Sequence, residues 1–320
     1  MKGSEMERIL NWIITAEQEG MTIDQFLRSN GCSHHVLTHL KRTERGILCN
    51  DIWAYTSQKL KTGDKVTIRL IESEASEQIL PVPLPLDIVY EDEDLLIINK
   101  SSDMPIHPSI NNYENTLANA VMYHYQQQNI PFVYRCINRL DRDTSGLLII
   151  AKHMFSGAVL SQMSARREIH REYLTIVEGT LPESGTISAP IARQEDSAIM
   201  RCVDEARGEA AVTHYQRISV FSPASAQAES TDSTDSASPL SSLSLARVHL
   251  ETGRTHQIRV HMKHIGHPLI GDFLYNPSSM HLIDRQALHS HRLTFTHPIT
   301  GKQMEFVSDL PADMQTLLKS

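Results

Sequence analysis

The sequence predicts an α+β protein in two unequal parts, and three observations carry that reading. Residues 1–71 alternate short strand-like and capped helical runs, the pattern of a small α/β module. Residues 72–85 are acidic and then proline-rich (Pro81, Pro83, Pro85), which favours an extended linker over helix or sheet. From Leu86 to the C-terminus, strand-like runs outnumber helical ones, among them the wholly apolar Leu147-Leu148-Ile149-Ile150-Ala151. At 320 residues the chain is long enough for two domains with at least one sizeable core.

Taken in order, Ile9 to Thr15 is strand-like. Thr22-Ile23-Asp24-Gln25 has the form of a capping box and opens a short helix through Arg28. Asn30-Gly31 stops it, and Ser33 caps a second helix over His34 to Arg42. Gly46 to Asn50 and Lys65 to Leu70 read as strands, with Thr62-Gly63-Asp64 as a turn between. In the larger part, Leu86 to Tyr90 and Leu95 to Asn99 are strands joined by the turn Glu91-Asp92-Glu93-Asp94. Thr116 to Gln127 and Phe155 to Arg166 have helical periodicity. Arg171 to Val177, Ala211 to Val220 and Leu245 to Leu250 read as strands. Residues 222–244, rich in Ser, Ala, Asp and Thr, hold too few apolar groups for a core and are expected to be a mobile insertion of no assigned function.

Composition excludes several classes. At 40% hydrophobic and 21% charged the chain reads as ordinary globular protein. No apolar run reaches the length of a membrane span. The run Ile9 to Ile14 is short and flanked by Glu7 and Glu17, unlike a signal peptide. Cys32, Cys49, Cys136 and Cys202 are scattered, which suggests neither a zinc site nor a disulfide framework and points to the reducing cytoplasm. The net charge of −8 resides in Glu72, Glu74, Glu77, Asp87, Glu91, Asp92, Glu93 and Asp94, a stretch without Lys or Arg, so the rest of the chain sums to zero. A local basic surface therefore remains available, and Arg135, Arg139, Arg142, Lys152, Arg166, Arg167 and Arg171 supply one candidate. Arg166 and Arg167 fit a solvated helix face equally well.

The most informative stretch is Arg139-Leu140-Asp141-Arg142-Asp143-Thr144-Ser145-Gly146. It sets Asp141 between two arginines in a polar turn just before the apolar strand. Opposite charge nearby favours the ionised carboxylate. Such an Asp can be a nucleophile, a general base or a substrate anchor, and the same cluster can equally do no more than pin a turn.

Asn138-Arg139-Leu140-Asp141-Arg142-Asp143-Thr144-Ser145-Gly146-Leu147-Leu148 resembles the H-R-L-D-x-x-T-S-G-L-L signature of the RluA-type pseudouridine synthases. Two further segments agree in order. Arg171 to Gly179 resembles that family's K-x-Y-x-A-x-V-x-G strand, and Thr252 to His261 its T-G-R-T-H-Q-I-R-V-H segment, continued by Gly266 to Asp272. The likeness runs from about Leu86 to the C-terminus, making 86–320 the catalytic domain. It implies a pseudouridine synthase fold with a long mixed, mainly antiparallel sheet crossed by a central cleft. It also implies isomerisation of a uridine in structured RNA, ribosomal or transfer, without cofactor or metal. On it, Asp141 is the catalytic group, Tyr173 an active-site aromatic, and Arg254 the arginine that pairs with the catalytic carboxylate. Arg139 and Arg142 flank Asp141 as support and RNA contact. Asn138 departs from the family's His, and Asp143 occupies a variable position expected to be exposed or capping. His256, His261, His264 and His267 lie where the family uses packing and loop support rather than metal.

The order of elements in residues 1–71 resembles the RNA-binding module named after small-subunit ribosomal protein four. Arg28, Lys41, Arg42 and Arg45 then lie on or beside its two helices as candidate phosphate contacts, or form an ordinary solvated face. No membrane and no obligatory protein partner is implied, and a monomer is expected. Two rivals stay in view. One is a non-catalytic RNA-binding or ribosome-assembly protein keeping the fold, which intact Asp141, Tyr173 and Arg254 argue against. The other is a glycoside hydrolase using Asp141 and Asp143, for which the sequence offers no clear acid partner.

Overall fold

The computed structural model describes residues 5–110, 112–222 and 242–319. The first part is a four-stranded antiparallel sheet of order β1-β4-β2-β3, built from β1 (Met6–Ile13), β2 (Ile47–Cys49), β3 (Ile52–Trp53) and β4 (Lys65–Glu72). Two helices, α1 (Ile23–Ser29) and α2 (His34–Arg42), pack on one face. The capping box forms: the Thr22 hydroxyl accepts the Gln25 N–H and the Gln25 side chain accepts the Thr22 N–H. Leu10, Val66, Ile68 and Leu70 of the sheet meet Phe26, Leu27, Val36, Leu37 and Leu40 of the helices.

The larger part holds a nine-stranded sheet. Its strands are β5 (Ile88–Glu91), β6 (Leu95–Lys100), β7 (Ser145–Ala151), β8 (His170–Glu178), β9 (Ser184–Ser188), β12 (Val212–Phe221), β13 (Leu243–Leu250), β14 (Leu288–Thr296) and β15 (Gln303–Val307). Their order is β5-β6-β7-β14-β8-β13-β12-β9, with β15 on β14. Only the β7–β14 pairing is parallel, so the sheet is mixed and mainly antiparallel, as the resemblance implied. That parallel contact is short, His289 with Ser145 and Ser290 with Gly146. Gly146 stands at φ +109°, where a Cβ would lie 2.3 Å from the Ser290 carbonyl oxygen, so only glycine lets β7 approach β14 here. Strands β10 (Ile191–Arg193) and β11 (Arg201–Val203) form a separate antiparallel hairpin beside the sheet. Helices α3 (Leu117–Gln127), α4 (Met154–Ala165), α5 (Gln257–His264) and α6 (Ala312–Lys319) complete this part.

Two sequence expectations are corrected, and the far bound of a third. Glu72 does not open the linker; it ends β4, buried, where its carboxylate holds Arg135 at 2.6 Å and accepts the Met154 N–H that starts α4. The stretch after it is no free spacer either. Ser76 and Val82 N–H groups donate to the Phe132 and Asn119 carbonyls, and Ile79 and Leu84 pack on the main core. Of the expected insertion at 222–244, residues 223–241 lie outside the described residues, and Leu243 and Ser244 already belong to β13.

The two parts share apolar surface. Phe155 of α4 is buried in the cluster that holds the α1 and α2 leucines, with its ring 6.2 Å from Trp12. Gly31 abuts Val159, and the Gln162 amide donates to the Gly31 carbonyl at 3.1 Å. Asp94 receives Arg8 at 2.7 and 3.1 Å and His153 at 2.8 Å. Asp94, the last residue of the acidic turn, is thus a buried junction between the two parts, while Glu93 beside it stays exposed.

Candidate active site

The turn that carries Asp141 lies between Leu140 and β7, and it is pinned from beneath. Lys100, 1% exposed, donates its ammonium to the carbonyls of Ser101 (2.7 Å), Met104 (2.9 Å) and Arg142 (2.7 Å). Burial pushes this ammonium down to about 7, against the pull of Asp143 and Asp141. Arg285 donates to the Asp143 carbonyl at 3.3 Å and Gln286 to the Thr144 hydroxyl at 3.2 Å. Asn138 is buried, and its side-chain oxygen accepts the Ile149 N–H at 2.8 Å. The residue that replaces the family's His therefore ties the turn to β7. Among the described residues its Nδ2 has no partner.

Asp141 faces a cleft of about 540 Å³, a size that suits a single nucleoside. Its Oδ2 accepts from Arg259 Nη1 at 3.2 Å. Arg259 projects from α5 and binds Asp272 through the other edge of its fork, Nε to Oδ2 at 2.7 Å and Nη2 to Oδ1 at 2.8 Å. Its guanidinium lies 5.1 Å from the Tyr275 ring centroid and 5.7 Å from that of Phe273. Burial works against the charge, but Asp272 first and Asp141 second hold the proton more firmly than in water. Tyr173, on β8 and 4% exposed, lines the same cleft, and its hydroxyl has no hydrogen-bond partner among the described residues. Arg139 is exposed on the rim without an ion pair among the described residues.

Arg254 is a correction. The resemblance made it the partner of Asp141, yet its guanidinium pairs with Glu209 and donates to the Ala210 carbonyl at 3.2 Å. It sits in the loop before α5, whereas Arg259 lies in the first turn of the helix, on the side that meets Asp272 and Asp141. Asp143 is the second correction. Expected to be exposed or capping, it is 7% exposed and held by Arg142 at 3.1 and 3.2 Å. Arg142 also reaches Asp103 at 3.5 Å, so local carboxylates occupy it. Far along the chain, Arg28 and Lys41 both reach Asp24, at 2.7 and 3.5 Å, and Arg45 donates to the Asp51 carbonyl at 3.0 Å. Arg42 is exposed, with no ion pair among the described residues.

Sequence reasoning missed Arg259, Asp272 and Tyr275 as site residues and read His256 only against a metal role. A signal existed: His256, Arg259 and Lys263 recur at helical spacing, and a charge among buried helix positions demands a buried partner. His261 uses both ring nitrogens internally, on the Thr213 hydroxyl and the Ala189 carbonyl, each at 2.8 Å.

A second hollow of about 480 Å³ adjoins the cleft and shares Gly253, Arg254 and Thr255 with it. Arg193, Arg201 and Arg207 line it, with Glu209 as the one carboxylate. Arg193 and Arg201 stand directly opposite each other in the β10–β11 hairpin, and neither has an ion pair among the described residues. Like charges so placed repel, which destabilises the pairing unless an anion sits beside them.

Comparison with known proteins shows the family of the chain. Residues 94–264 match the family described as RNA pseudouridylate synthase. The chain is 38% identical over 300 residues to the uncharacterized RNA pseudouridine synthase YjbO of Bacillus subtilis, covering 93% of this chain and 99% of that one. It is 42% identical over 252 residues to ribosomal large subunit pseudouridine synthase D of Zymomonas mobilis, covering 75% and 74%. In fold it is similar to human RNA pseudouridylate synthase domain containing 1, with a TM-score of 0.56 and 24% identity over 70% of this chain and 83% of that one.

Proposed function

The chain belongs to the RNA pseudouridylate synthase family, and we propose that Asp141 is the group with which it turns a uridine of structured ribosomal RNA into pseudouridine. The observation that carries this reading is the line Asp141–Arg259–Asp272 at the floor of a cleft of nucleoside size. The reaction breaks the N-glycosidic bond, turns the base and rejoins it through carbon 5, with no redox change and no outside energy source. It needs one positioned carboxylate and a pocket that retains the detached base. Arg259 orients Asp141, and its fixed fork suits two carboxylates at once. The target uridine leaves its stack to reach Asp141, and the Tyr173 ring offers a face for it.

Backbone phosphates on either side then meet the basic rim. Arg139 and Arg171 serve the cleft, and Arg193, Arg201, Arg207 and Arg254 the adjoining hollow. Residues 1–71 act as an RNA-binding module that adds affinity and target choice through Arg28, Lys41, Arg42 and Arg45, and residues 86–320 carry the chemistry. The protein works as a monomer in the cytoplasm. Ribosomal RNA is favoured over transfer RNA because one relative is named for the large ribosomal subunit.

Two measurements test this together: pseudouridine mapping in RNA from cells with and without the gene, and tritium release from carbon-5-labelled RNA by the purified protein. The expected result is one or a few ribosomal sites lost with the gene and release by the protein. A lost site in transfer RNA alone overturns the target. No lost site and no release overturn the activity and leave the non-catalytic reading.

A further inference from the structure

One donor in the cleft is left uncommitted by the arrangement of Asp141 and Arg259. His256 begins α5 with its backbone at φ +58°, a left-handed conformation that few side chains other than glycine hold without support. Its side chain is 9% exposed and lines the cleft. The Tyr275 hydroxyl accepts the Arg201 N–H at 2.8 Å and lies 2.9 Å from His256 Nδ1. With one acceptor position taken by Arg201, the hydroxyl has its own proton to give to Nδ1. In that arrangement Nδ1 accepts and the single proton of the neutral ring resides on Nε2. Burial lowers the pKa of the ring and raises that of the phenol, so both stay in these neutral forms. Nε2 lies 3.9 Å from Asp141 Oδ2, beyond hydrogen-bond range. In that tautomer a largely covered N–H points into the cleft beside Asp141, with no hydrogen-bond partner among the described residues.

Resting on the function proposed above, we propose that His256 binds the target uracil: its Nε2–H donates to a carbonyl oxygen of the base and supports the charge that develops there. When the C1′–N1 bond breaks with its electron pair on the base, that charge spreads from N1 to the neighbouring carbonyl oxygens. A preorganised neutral donor beside the breaking bond stabilises it. The new bond joins C1′ to C5, the C5 proton departs and N1 gains one. His256 keeps its proton throughout. Tyr275 acts as a positioning residue, because it fixes which nitrogen carries that proton.

The test compares His256→Phe, His256→Gln and Tyr275→Phe with the wild type in tritium release from carbon-5-labelled ribosomal RNA. Loss of one preorganised donor is expected to lower kcat about 100-fold in His256→Phe with KM nearly unchanged. Gln, which keeps an N–H, recovers part of the loss. Nitrogen-15 NMR of histidine-labelled wild-type protein, in its full length, reads the tautomer directly. Nε2–H alone is expected in the wild type, and a mixture of tautomers in Tyr275→Phe. A wild-type ring protonated on Nδ1, or a His256→Phe kcat within about twofold of wild type, overturns the inference. An inactive wild type defeats the functional reading itself, so the two failures are distinguishable.

Discussion

Arg259 donates to Asp141 at 3.2 Å and grips Asp272 with its other edge at 2.7 and 2.8 Å. One guanidinium thus spans an exposed-side carboxylate, 28% accessible to the cleft, and a fully buried one. The buried pair anchors the fork, and the fork in turn fixes the carboxylate that substrate can reach.

The first prediction concerns Asp141. Asp141→Asn keeps size and hydrogen-bonding capacity but removes the nucleophile and base. Tritium release is expected to drop by at least about 1,000-fold, while RNA affinity and thermal unfolding stay close to wild type. Activity within about tenfold of wild type, a barrier change of only ~1.4 kcal/mol, would rule out Asp141 as the reacting group.

Arg259 and Arg254 are separable. Arg259→Lys keeps the charge but cannot span Asp141 and Asp272 together, so kcat should drop by about 100-fold, close to 3 kcal/mol. Arg254→Ala loses the contacts to Glu209 and the Ala210 carbonyl and the phosphate contact proposed in the hollow, so it should weaken RNA binding while leaving kcat within a few-fold. The reverse ranking in single-turnover assays would restore Arg254 as the partner of the reacting carboxylate.

The basic hollow is a matter of salt dependence. If Arg193 neutralises one phosphate, Arg193→Ala should flatten the slope of log affinity against log salt by about 1. Relieving the repulsion from Arg201 should leave the free protein equally or more stable. Binding by fluorescence anisotropy across a salt series decides it: an unchanged slope places the RNA elsewhere.

Asp94 gives an acid-stability prediction. Burial raises its pKa, but His153 and Arg8 outweigh this and hold it down to about 2. A carboxyl depressed in the fold contributes stability above its ordinary value of 3.8, and loses it as pH falls through about 2. The shift corresponds to roughly 2 kcal/mol. Urea unfolding should therefore show Asp94→Asn well below wild type at pH 6, with the gap closing toward pH 2. A gap independent of pH would mean that packing, not charge, accounts for the loss.

Removal of residues 1–71 should do more than weaken RNA binding. It uncovers Phe155 and Val159 on α4 and strips Arg8 from Asp94. The truncated protein is expected to bind hydrophobic dye and unfold at lower temperature, with a Phe155→Ser change restoring solubility. Its RNA affinity should fall with a shallower salt slope. Unaltered thermal stability would show that the shared apolar surface contributes little.

Much of this was legible along the chain because it depends on local rules. The capping box at Thr22, the helix from Thr116 to Gln127, the limits of α2 at His34 and Arg42, and the strand after Gly146 follow from side chains within a few residues of one another. The turn bearing Asp141 was readable in the same way. The partner of Asp141 was not. Arg254 and Arg259 stand five apart in one motif, and only the placement of α5 against Asp272 selects Arg259. Nor could the sequence tell that Asp92 of the acidic turn meets His297 and that buried Asp94 meets Arg8 and His153, or that Phe155 completes the core of residues 1–71. Backbone propensity and capping act over one helical turn, so the sequence determines them by itself. Charge pairing and shared apolar surface join residues far apart along the chain, Arg259 and Asp141 by 118 positions, and only the tertiary structure decides which of the available arginines meets which carboxylate.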